Sequence, residues 1–273
     1  MGKFDGILIC TDLDGTLYRN DKTISSENKE AIEYFKGEGG FFTFITGRLP
    51  YYSTDAFEAV QPNAPFGCIN GGGVYDGGAG RYVFTNELPK DALELVSYVD
   101  ERFSNVGIQI CGFEKTYFAK ENDRTFCFRR ETGLPNYTCD YKSFNAPIGK
   151  IIFCTYNDNK LSAIEKALNS HKNADKFDFI RSEQTLFEIL PKGANKGASL
   201  EIIASYLKVD KSKTVAIGDY DNDVAMIKAA GVGIAVSNAS KRAKDAADVI
   251  TVSNEEHAIA KIINDIEKGL IFS

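Results

Sequence analysis

The sequence predicts an α/β fold in which an open parallel sheet is interrupted by an inserted α+β unit. Strand, helix and strand patterns alternate near the start of the chain, and the same alternation returns near its end. The middle of the chain has a different pattern, in which strand-like runs follow one another more closely. At 273 residues the chain is long enough for two domains.

The N-terminal alternation begins with a buried strand over "GILIC". A helix follows in "SSENKEAIEYFKGEGG", with Ser25 or Ser26 as its N-cap and glycines at its end. "GFFTFITGR" predicts a second strand that stops at Thr46, and "FGCING" predicts a third, short strand that stops at Asn70.

The C-terminal alternation consists of a helix in "NKGASLEIIASYLK", a strand in "KTVAIG", a helix in "NDVAMIKAAG" and a strand in "VGIAVS". Such alternation implies parallel strands joined by right-handed crossovers, with helices on both faces of the sheet. We therefore expect the two ends of the chain to form two halves of one sheet.

The middle section, residues 84–188, is predicted to be a separate α+β domain inserted into the core domain of residues 1–83 and 189–273. It contains strand-like runs, including "KTYFAK" and "TFCFRR" as a pair, then "KIIFCTY", "FDFIRS" and "LFEIL". A helix is predicted in "NKLSAIEKALNSH". The glycine-rich "NGGGVYDGGAGRY" before this section indicates a hairpin, or a hinge, or both.

Composition excludes several classes of partner. The net charge is −6 and no basic cluster is visible, so nucleic acid is not expected as a partner. No apolar stretch is long enough to cross a membrane. No secretory leader precedes the first strand, and the six cysteines lack disulfide or metal spacing, so we expect a cytoplasmic protein with reduced thiols.

Polar residues follow the ends of several predicted strands, where ligands of open α/β sheets bind. Asp12 and Asp14 follow the first strand, Thr46 ends the second, and Lys196 opens a helix. A late strand is followed by "GDYDND", which contains three further acids: Asp219, Asp221 and Asp223. Carboxylates that converge repel one another unless a cation is present, and a donor set of oxygens alone favours Mg²⁺.

Two other metal or phosphate motifs do not fit. "DYDND" matches the opening of a calcium-binding EF-hand loop, but Val224 stands where that loop needs glycine and Ala230 stands where it needs glutamate. No G-x-x-x-x-G-K-[ST] sequence is present, which excludes a P-loop.

Four motifs in order resemble those of the haloacid dehalogenase (HAD) superfamily of phosphohydrolases: "DLDGT", "ITGR", "NKG" and "GDYDND". With the insertion between the second and third motifs, the chain resembles the Cof-type subfamily over nearly its whole length. The resemblance implies a Rossmann-like core, an α+β cap domain and a Mg²⁺ cofactor.

The resemblance also implies roles for individual residues. Asp12 would attack phosphorus to form an aspartyl-phosphate, and Asp14 would act as general acid and then general base. Lys196 and Thr46 would hold phosphate oxygens. The expected metal ligands are Asp12, Asp14 through its backbone carbonyl and Asp219, with Asp223 either a further ligand or a residue that contacts a ligand. The remaining substrate contacts are expected at Gly47, Arg48, Asn70 and Asn222.

The expected function is a magnesium-dependent phosphatase that acts on a small phosphorylated metabolite, with sugar phosphates implied by the resemblance. Two alternatives stay open at this point. A phosphomutase of the same superfamily would isomerise its substrate without net phosphate release. A phospho-receiver also gathers acids and a lysine around Mg²⁺, although the large insertion counts against it. The sequence gives no indication of the oligomeric state.

Overall fold

The computed structural model describes residues 2–272 and divides into two compact units. The first holds the residues up to Phe84 and those from Asn195 onward, and the second is Thr85–Ala194. The N-terminal boundary lies next to the predicted one. The C-terminal boundary lies later than the predicted 188, because that position falls inside a single strand, Leu186–Pro191.

The elements are numbered in chain order. The strands are β1 Leu8–Thr11, β2 Phe41–Phe44, β3 Phe66–Cys68, β4 Gly73–Asp76, β5 Arg81–Thr85, β6 Gly107–Cys111, β7 Thr116–Lys120, β8 Tyr137–Thr138, β9 Lys150–Cys154, β10 Phe177–Glu183, β11 Leu186–Pro191, β12 Thr214–Gly218, β13 Val232–Ala235 and β14 Val249–Ile250. The helices are α1 Ser26–Gly37, α2 Thr54–Val60, α3 Ala92–Arg102, α4 Asp123–Thr132, α5 Asp158–Asn169, α6 Lys196–Leu207, α7 Val224–Ala229, α8 Lys241–Ala246 and α9 Ala258–Glu267.

The first unit is built on a five-stranded parallel sheet in the order β14-β13-β12-β1-β2. The two halves of the chain meet where β1 pairs with β12, with Thr11 opposite Ile217. Both strands are fully buried along their length, as expected for a sheet covered on two faces. The predicted α/β class and parallel sheet are confirmed.

The third predicted strand does not extend this sheet as the alternation suggested. β3 joins β2 only through one parallel bridge between Ile45 and Gly67, and it pairs antiparallel with β4 instead. Together with β5 it forms a separate three-stranded sheet in the order β3-β4-β5. The glycines that follow Asn70 allow the tight return that brings β4 back onto β3.

The second unit contains a six-stranded sheet in the order β10-β11-β9-β6-β7-β8. One face of this sheet packs against α3 and α5 in a continuous apolar core, to which β6 contributes Ile108 and Ile110 and β9 contributes Ile151 and Phe153. Side chains alternate between the faces of a strand, so the intervening residues point to the opposite face.

The prediction of a strand in "TFCFRR" is wrong, because these residues belong to α4. Asn122 caps this helix, because its side-chain oxygen accepts a hydrogen bond from the backbone N–H of Thr125. In return, the Thr125 hydroxyl oxygen accepts a hydrogen bond from the backbone N–H of Asn122. Gly133 ends the helix in the left-handed region. Phe126 is 51% exposed, so the alternating aromatic residues do not mark a buried sheet face.

Two observations concern the cysteines and the helices of the described part of the chain. Cys10, Cys68 and Cys154 are buried in strands, and no disulfide forms among residues 2–272. Within the same residues, no helix combines the length and the apolar character that a membrane crossing needs.

Candidate active site

Asp12 stands at the carboxyl end of β1, in the middle of the parallel sheet. Its backbone N–H donates to the carbonyl of Ile217 on β12 at 2.8 Å, which continues the ladder one residue past the strand. This bond fixes the Asp12 backbone, and only 6% of the residue is exposed. The sheet therefore holds one carboxylate rigidly at the edge where ligands of such folds bind.

The loop after Asp12 turns sharply at Gly15 and brings Thr16 to Asp219. Gly15 has φ +80°, and a Cβ there would lie 2.5 Å from Oδ2 of Asp219. Only glycine therefore allows the close approach of this loop to the acid. The Thr16 hydroxyl donates to Oδ1 of Asp219 at 3.2 Å, so the first and last predicted motifs are in direct contact.

Lys196 connects two of the acids. It is the first residue of α6, whose N-cap, Asn195, accepts from the backbone N–H of Ala198. The ammonium donates to Oδ1 of Asp12 at 2.6 Å and to Oδ1 of Asp223 at 2.5 Å. Lys196 is 1% exposed, and a buried ammonium is stable only when it is paired in this way.

Asp223 organises the turn that carries the last motif. Its Oδ2 accepts from the backbone N–H groups of Asp219 and Tyr220 at 2.9 and 3.0 Å, while its Oδ1 binds Lys196. Both carboxylate oxygens of this fully buried residue are thus engaged within the protein. Asp223 fixes the position of Asp219 and of the lysine at the same time.

The acids of this cluster raise one another's pKa values. Burial raises the pKa of Asp12, and the neighbouring charges of Asp223 and Asp219 raise it further, while Lys196 opposes the change. Burial and the charge of Asp223 likewise raise the pKa of Asp219 to about 7. Burial lowers the pKa of Lys196, but the neighbouring carboxylates of Asp12 and Asp223 raise it more. The pKa of the lysine is therefore raised, and the ammonium stays charged.

The donor set fits a hard divalent cation. Asp12, Asp219 and Asp223 each offer an oxygen within 4.8 Å of the others. Three carboxylates and one ammonium carry a net charge of −2 when ionised, which one divalent ion balances. Oxygen ligands alone suit Mg²⁺ rather than zinc. The cluster could therefore hold a metal ion.

Asp14 is placed apart from that cluster. Its carboxylate accepts two hydrogen bonds from Arg48, 2.9 Å from Nε and 2.6 Å from Nη2, and a third from Lys22 at 2.9 Å. The Arg48 guanidinium also lies over the rings of Tyr18 and Tyr52, 5.3 and 4.7 Å from their centres. Burial raises the pKa of Asp14, but the positive charges and hydrogen bonds of Arg48 and Lys22 lower it more. The pKa of Asp14 therefore lies below its usual value.

A second group of predicted residues surrounds a strained turn. Ile69, Asn70 and Gly71 have φ values of 57°, 52° and 99°, and a positive φ at a β-branched residue such as Ile69 is rare. The Asn70 amide lies against Gly47, where a Cβ would come within 3.0 Å of it. The Asn70 side-chain oxygen also accepts from Asn222 at 3.2 Å.

Thr46 belongs to the same region through its backbone. It is 1% exposed, its carbonyl accepts from the Asn70 N–H at 3.1 Å, and its hydroxyl accepts from the Arg48 N–H at 3.2 Å. Because Asn222 lies on the same turn as Asp219 and Asp223, the Thr46 group and the carboxylate cluster adjoin.

The structure thus brings most of the predicted residues into two adjoining groups, and it pairs Asp14 with Arg48. Three contributors were not predicted: Gly15, Thr16 and Lys22. Gly15 and Thr16 are part of the quoted "DLDGT", so their spacing next to the two acids was a usable signal. Nothing in the sequence around Lys22 indicates its pairing with Asp14.

Comparisons with known proteins show the family to which the chain belongs. A family model of haloacid dehalogenase-like hydrolases matches residues 9–263. The 5-amino-6-(5-phospho-D-ribitylamino)uracil phosphatase YitU of Bacillus subtilis is 28% identical over 265 residues, which cover 94% of this chain and 96% of that protein. Phosphatase YwpJ of the same organism is 26% identical over 285 residues, with 95% and 99% covered.

Among solved structures, a haloacid dehalogenase-like hydrolase from Bacteroides thetaiotaomicron superposes with a TM-score of 0.83 and 26% identity, over 95% of this chain and 99% of that one. The fold and these matches define the class of the protein as a hydrolase. The chain belongs to the haloacid dehalogenase-like hydrolase family, and it is a phosphatase.

Proposed function

We propose that this protein is a magnesium-dependent phosphatase that hydrolyses a small, hydroxyl-bearing phosphate monoester through an aspartyl-phosphate on Asp12. The observation that carries the proposal is the Lys196 ammonium, which lies between Asp12 and Asp223 with Asp219 alongside. The match to the family along residues 9–263 supports the same chemistry.

Asp12 has the properties of a nucleophile in this arrangement. Its backbone is fixed by the sheet, and one carboxylate oxygen, Oδ1, is held by Lys196 at 2.6 Å. The other oxygen, Oδ2, is the one that we assign to attack on phosphorus. The fixed geometry lowers the entropy cost of reaching an in-line approach.

Lys196 and Thr46 are proposed to bind phosphate oxygens. The charge of Lys196 reduces the repulsion between a carboxylate nucleophile and a phosphate dianion, and it stabilises charge on the equatorial oxygens during transfer. Asn70 and Asn222, joined by a hydrogen bond, are proposed to orient the phosphate, and Gly47 leaves room beside them.

We propose that Asp12, Asp219 and the backbone carbonyl of Asp14 hold Mg²⁺. When bound, the ion neutralises the carboxylate cluster and the charge that develops on the phosphoryl group. Asp223 was predicted either as a further ligand or as a residue that contacts a ligand. Since both of its oxygens already accept hydrogen bonds, we propose that it acts mainly by positioning Lys196 and Asp219.

Asp14 is proposed as the general acid for the leaving oxygen and as the base for the water of the second step. Arg48 was predicted as a substrate contact. Its two-point contact with Asp14 supports a different role, in which it positions that carboxylate.

The substrate class rests on the relatives. YitU, which is 28% identical, is named for a substrate that carries a phosphorylated ribityl chain, which is a polyol. We propose a phosphorylated sugar or sugar alcohol for this protein, with the second unit acting as the cap. The buried thiols and the absence of disulfides among residues 2–272 support a cytoplasmic location.

The test is phosphate release from p-nitrophenyl phosphate in the presence of Mg²⁺. Wild-type protein is expected to turn over, and Asp12→Asn is expected to abolish activity because the amide cannot act as the nucleophile. Asp245→Asn is the matched control, since Asp245 lies on the surface of α8 and, among residues 2–272, pairs with exposed Lys241 alone. Full activity in Asp12→Asn would refute the proposed nucleophile.

The same assay separates the alternatives. A phosphomutase would isomerise a sugar phosphate in the presence of a bisphosphate activator and would release no net phosphate. A phospho-receiver would accumulate a phosphorylated protein that is stable for minutes and would not turn over. Either result in place of phosphate release would contradict the proposal.

A further inference from the structure

The turn that follows β1 is wide and has a glycine in its middle. It spans Leu13–Leu17 and is closed by a hydrogen bond from the backbone N–H of Tyr18 to the Leu13 carbonyl at 2.8 Å. Gly15 lies inside it with φ +80°. Hydrogen bonds of this wide spacing are rare, and glycine is the most flexible residue, so this bond alone does not fix the middle of the turn. Its shape depends on groups outside it.

Asn238 is one of these outside groups. It lies in the loop of residues 236–240, between β13 and α8, and its side-chain Nδ2 donates to the Gly15 carbonyl at 2.8 Å. The same loop also contacts the last motif, because the backbone N–H of Ser240 donates to the Asp219 carbonyl at 2.7 Å. The loop therefore contacts both of the segments that are proposed to hold Mg²⁺.

Asn254 fixes the side chain of Asn238. Its backbone N–H donates to Oδ1 of Asn238 at 3.0 Å, so the amide of Asn238 is oriented with its NH₂ group toward Gly15. Asn254 is itself held firmly, since it is 2% exposed and its side chain donates to the Tyr18 carbonyl at 3.0 Å. The two asparagines thus connect the middle of the turn to the residue that follows it.

The direction of the Gly15 carbonyl affects two groups of the site. The Asp14 carbonyl, which is proposed as a metal ligand, belongs to the peptide group before it. The Thr16 hydroxyl, which donates to Oδ1 of Asp219 at 3.2 Å, belongs to the residue after it. Peptide groups are planar, so a change in the direction of one carbonyl turns the neighbouring groups as well.

We propose that Asn238 is a positioning residue for Mg²⁺ binding, and that Asn254 holds its amide in the required orientation. This inference rests on the proposed function, in which Asp219 and the Asp14 carbonyl hold the ion. Partners that orient metal ligands without touching the metal commonly change metal affinity by about 10- to 100-fold. Neither asparagine belongs to the four motifs of the sequence.

The exposure of Asn238 separates positioning from stabilisation. The residue is exposed, so water can replace its hydrogen bond to the Gly15 carbonyl with little loss of stability. Water does not fix the direction of that carbonyl, whereas a side chain anchored at Asn254 does. Removal of the Asn238 side chain should therefore change metal affinity more than it changes stability.

The experiment measures Tm at pH 8 over a series of Mg²⁺ concentrations. The increase in Tm depends on the ratio of the Mg²⁺ concentration to Kd, so the concentration that gives a fixed increase reports the relative Kd. Asn238→Ala is expected to need about tenfold more Mg²⁺ than the wild type. Without Mg²⁺, its Tm should lie within about 3 °C of the wild-type value.

Asn264→Ala is the matched control, because Asn264 is an exposed asparagine of the same unit, on α9. It should need the same Mg²⁺ concentration as the wild type. An unchanged Mg²⁺ requirement in Asn238→Ala would overturn the inference, and so would an equal increase in Asn264→Ala. Loss of folding in Asn238→Ala would also overturn it, because the role would then be structural.

Hydrolysis of p-nitrophenyl phosphate by the wild type tests the proposed function separately. If the wild type hydrolyses this substrate with Mg²⁺ and Asn238→Ala has an unchanged Mg²⁺ requirement, the inference alone is refuted. If the wild type shows neither hydrolysis nor an increase in Tm with Mg²⁺, the proposed function and the inference are both refuted.

Discussion

At the scale of single residues, Lys196 balances charges that the fold could not otherwise bury together. Asp12 and Asp223 are 6% and 0% exposed, and two unpaired carboxylates in such surroundings would oppose folding. The ammonium resolves part of the conflict by binding both. The pKa of Asp219 is still raised to about 7, which shows that one positive charge is not enough.

Gly15 provides a test of how closely the first and last motifs must approach. Gly15→Ala would place a Cβ 2.5 Å from the Asp219 carboxylate, so we expect Asp219 to move and kcat to fall by about a hundredfold. Gly269→Ala is a matched control, because Gly269 also has a positive φ, +69°, but a Cβ there meets nothing within 4 Å. Equal activity in the two variants would show that the contact is unimportant.

Arg48 provides a test of the role of Asp14. Arg48→Lys keeps the charge but loses the two-point contact with the carboxylate. If Arg48 positions a general acid, kcat/KM should fall about tenfold more for alkyl phosphates than for p-nitrophenyl phosphate, whose leaving group needs little protonation. Arg242→Lys, at an exposed arginine paired with Asp221, is the control. An equal loss on both substrates would argue against positioning.

At the scale of elements, the strands and helices of the first unit were largely predictable. β1, β2 and β12 are short apolar runs that end in polar residues, and α1 has both an N-cap and closing glycines. These signals are local, so the sequence contains them in full.

Two elements were predicted wrongly from local patterns, and one set of side-chain contacts was not predicted. β3 was read as another strand of the parallel sheet, but its partner β4 comes from the chain just beyond the glycine turn. α4 was read as a strand because its aromatic residues alternate, although Asn122 and Thr125 form a capping box that the sequence displays. The contacts of Asp14 with Arg48 and Lys22 depend on side-chain geometry that no spacing rule provides.

The capping box gives a prediction for α4. Asn122→Ala removes the N-cap and the side-chain bonds to the Cys154 and Asn105 carbonyls, so the free energy of unfolding should fall by about 1 kcal/mol or more. Denaturant titration followed by circular dichroism measures the change, and Asn136→Ala at an exposed loop position is the control. An unchanged midpoint would mean that packing alone holds α4 in place.

At the scale of the whole molecule, the two ends of the chain are joined by the site itself. Asp12 comes from the first strand and Asp219 follows β12, and these strands are neighbours in the sheet. Thr46, from the second motif, reaches the same edge because parallel strands place their carboxyl ends together. Lys196, from the third motif, reaches it from the first residue of α6. This convergence was predictable from topology alone, whereas its distances were not.

Metal binding should therefore change the stability of the whole first unit. The raised pKa of Asp219 means that the metal-free folded state binds a proton more tightly than the unfolded state, so the contribution of this group falls as pH rises from about 4 to about 7. If Mg²⁺ binds as proposed, it would relieve the repulsion and raise Tm more at pH 8 than at pH 6. The increase should be lost in Asp219→Asn, and a pH-independent increase that survives this substitution would place the metal elsewhere.

The proposed role of Asp12 as nucleophile is tested most directly by locating the transferred phosphoryl group. Protein quenched in acid during turnover of p-nitrophenyl phosphate with Mg²⁺ would be digested and examined by mass spectrometry. One added phosphoryl group is expected on the peptide that contains Asp12, and none in Asp12→Asn. A phosphoryl group on any other residue, or none at all in protein that is turning over, would contradict that role.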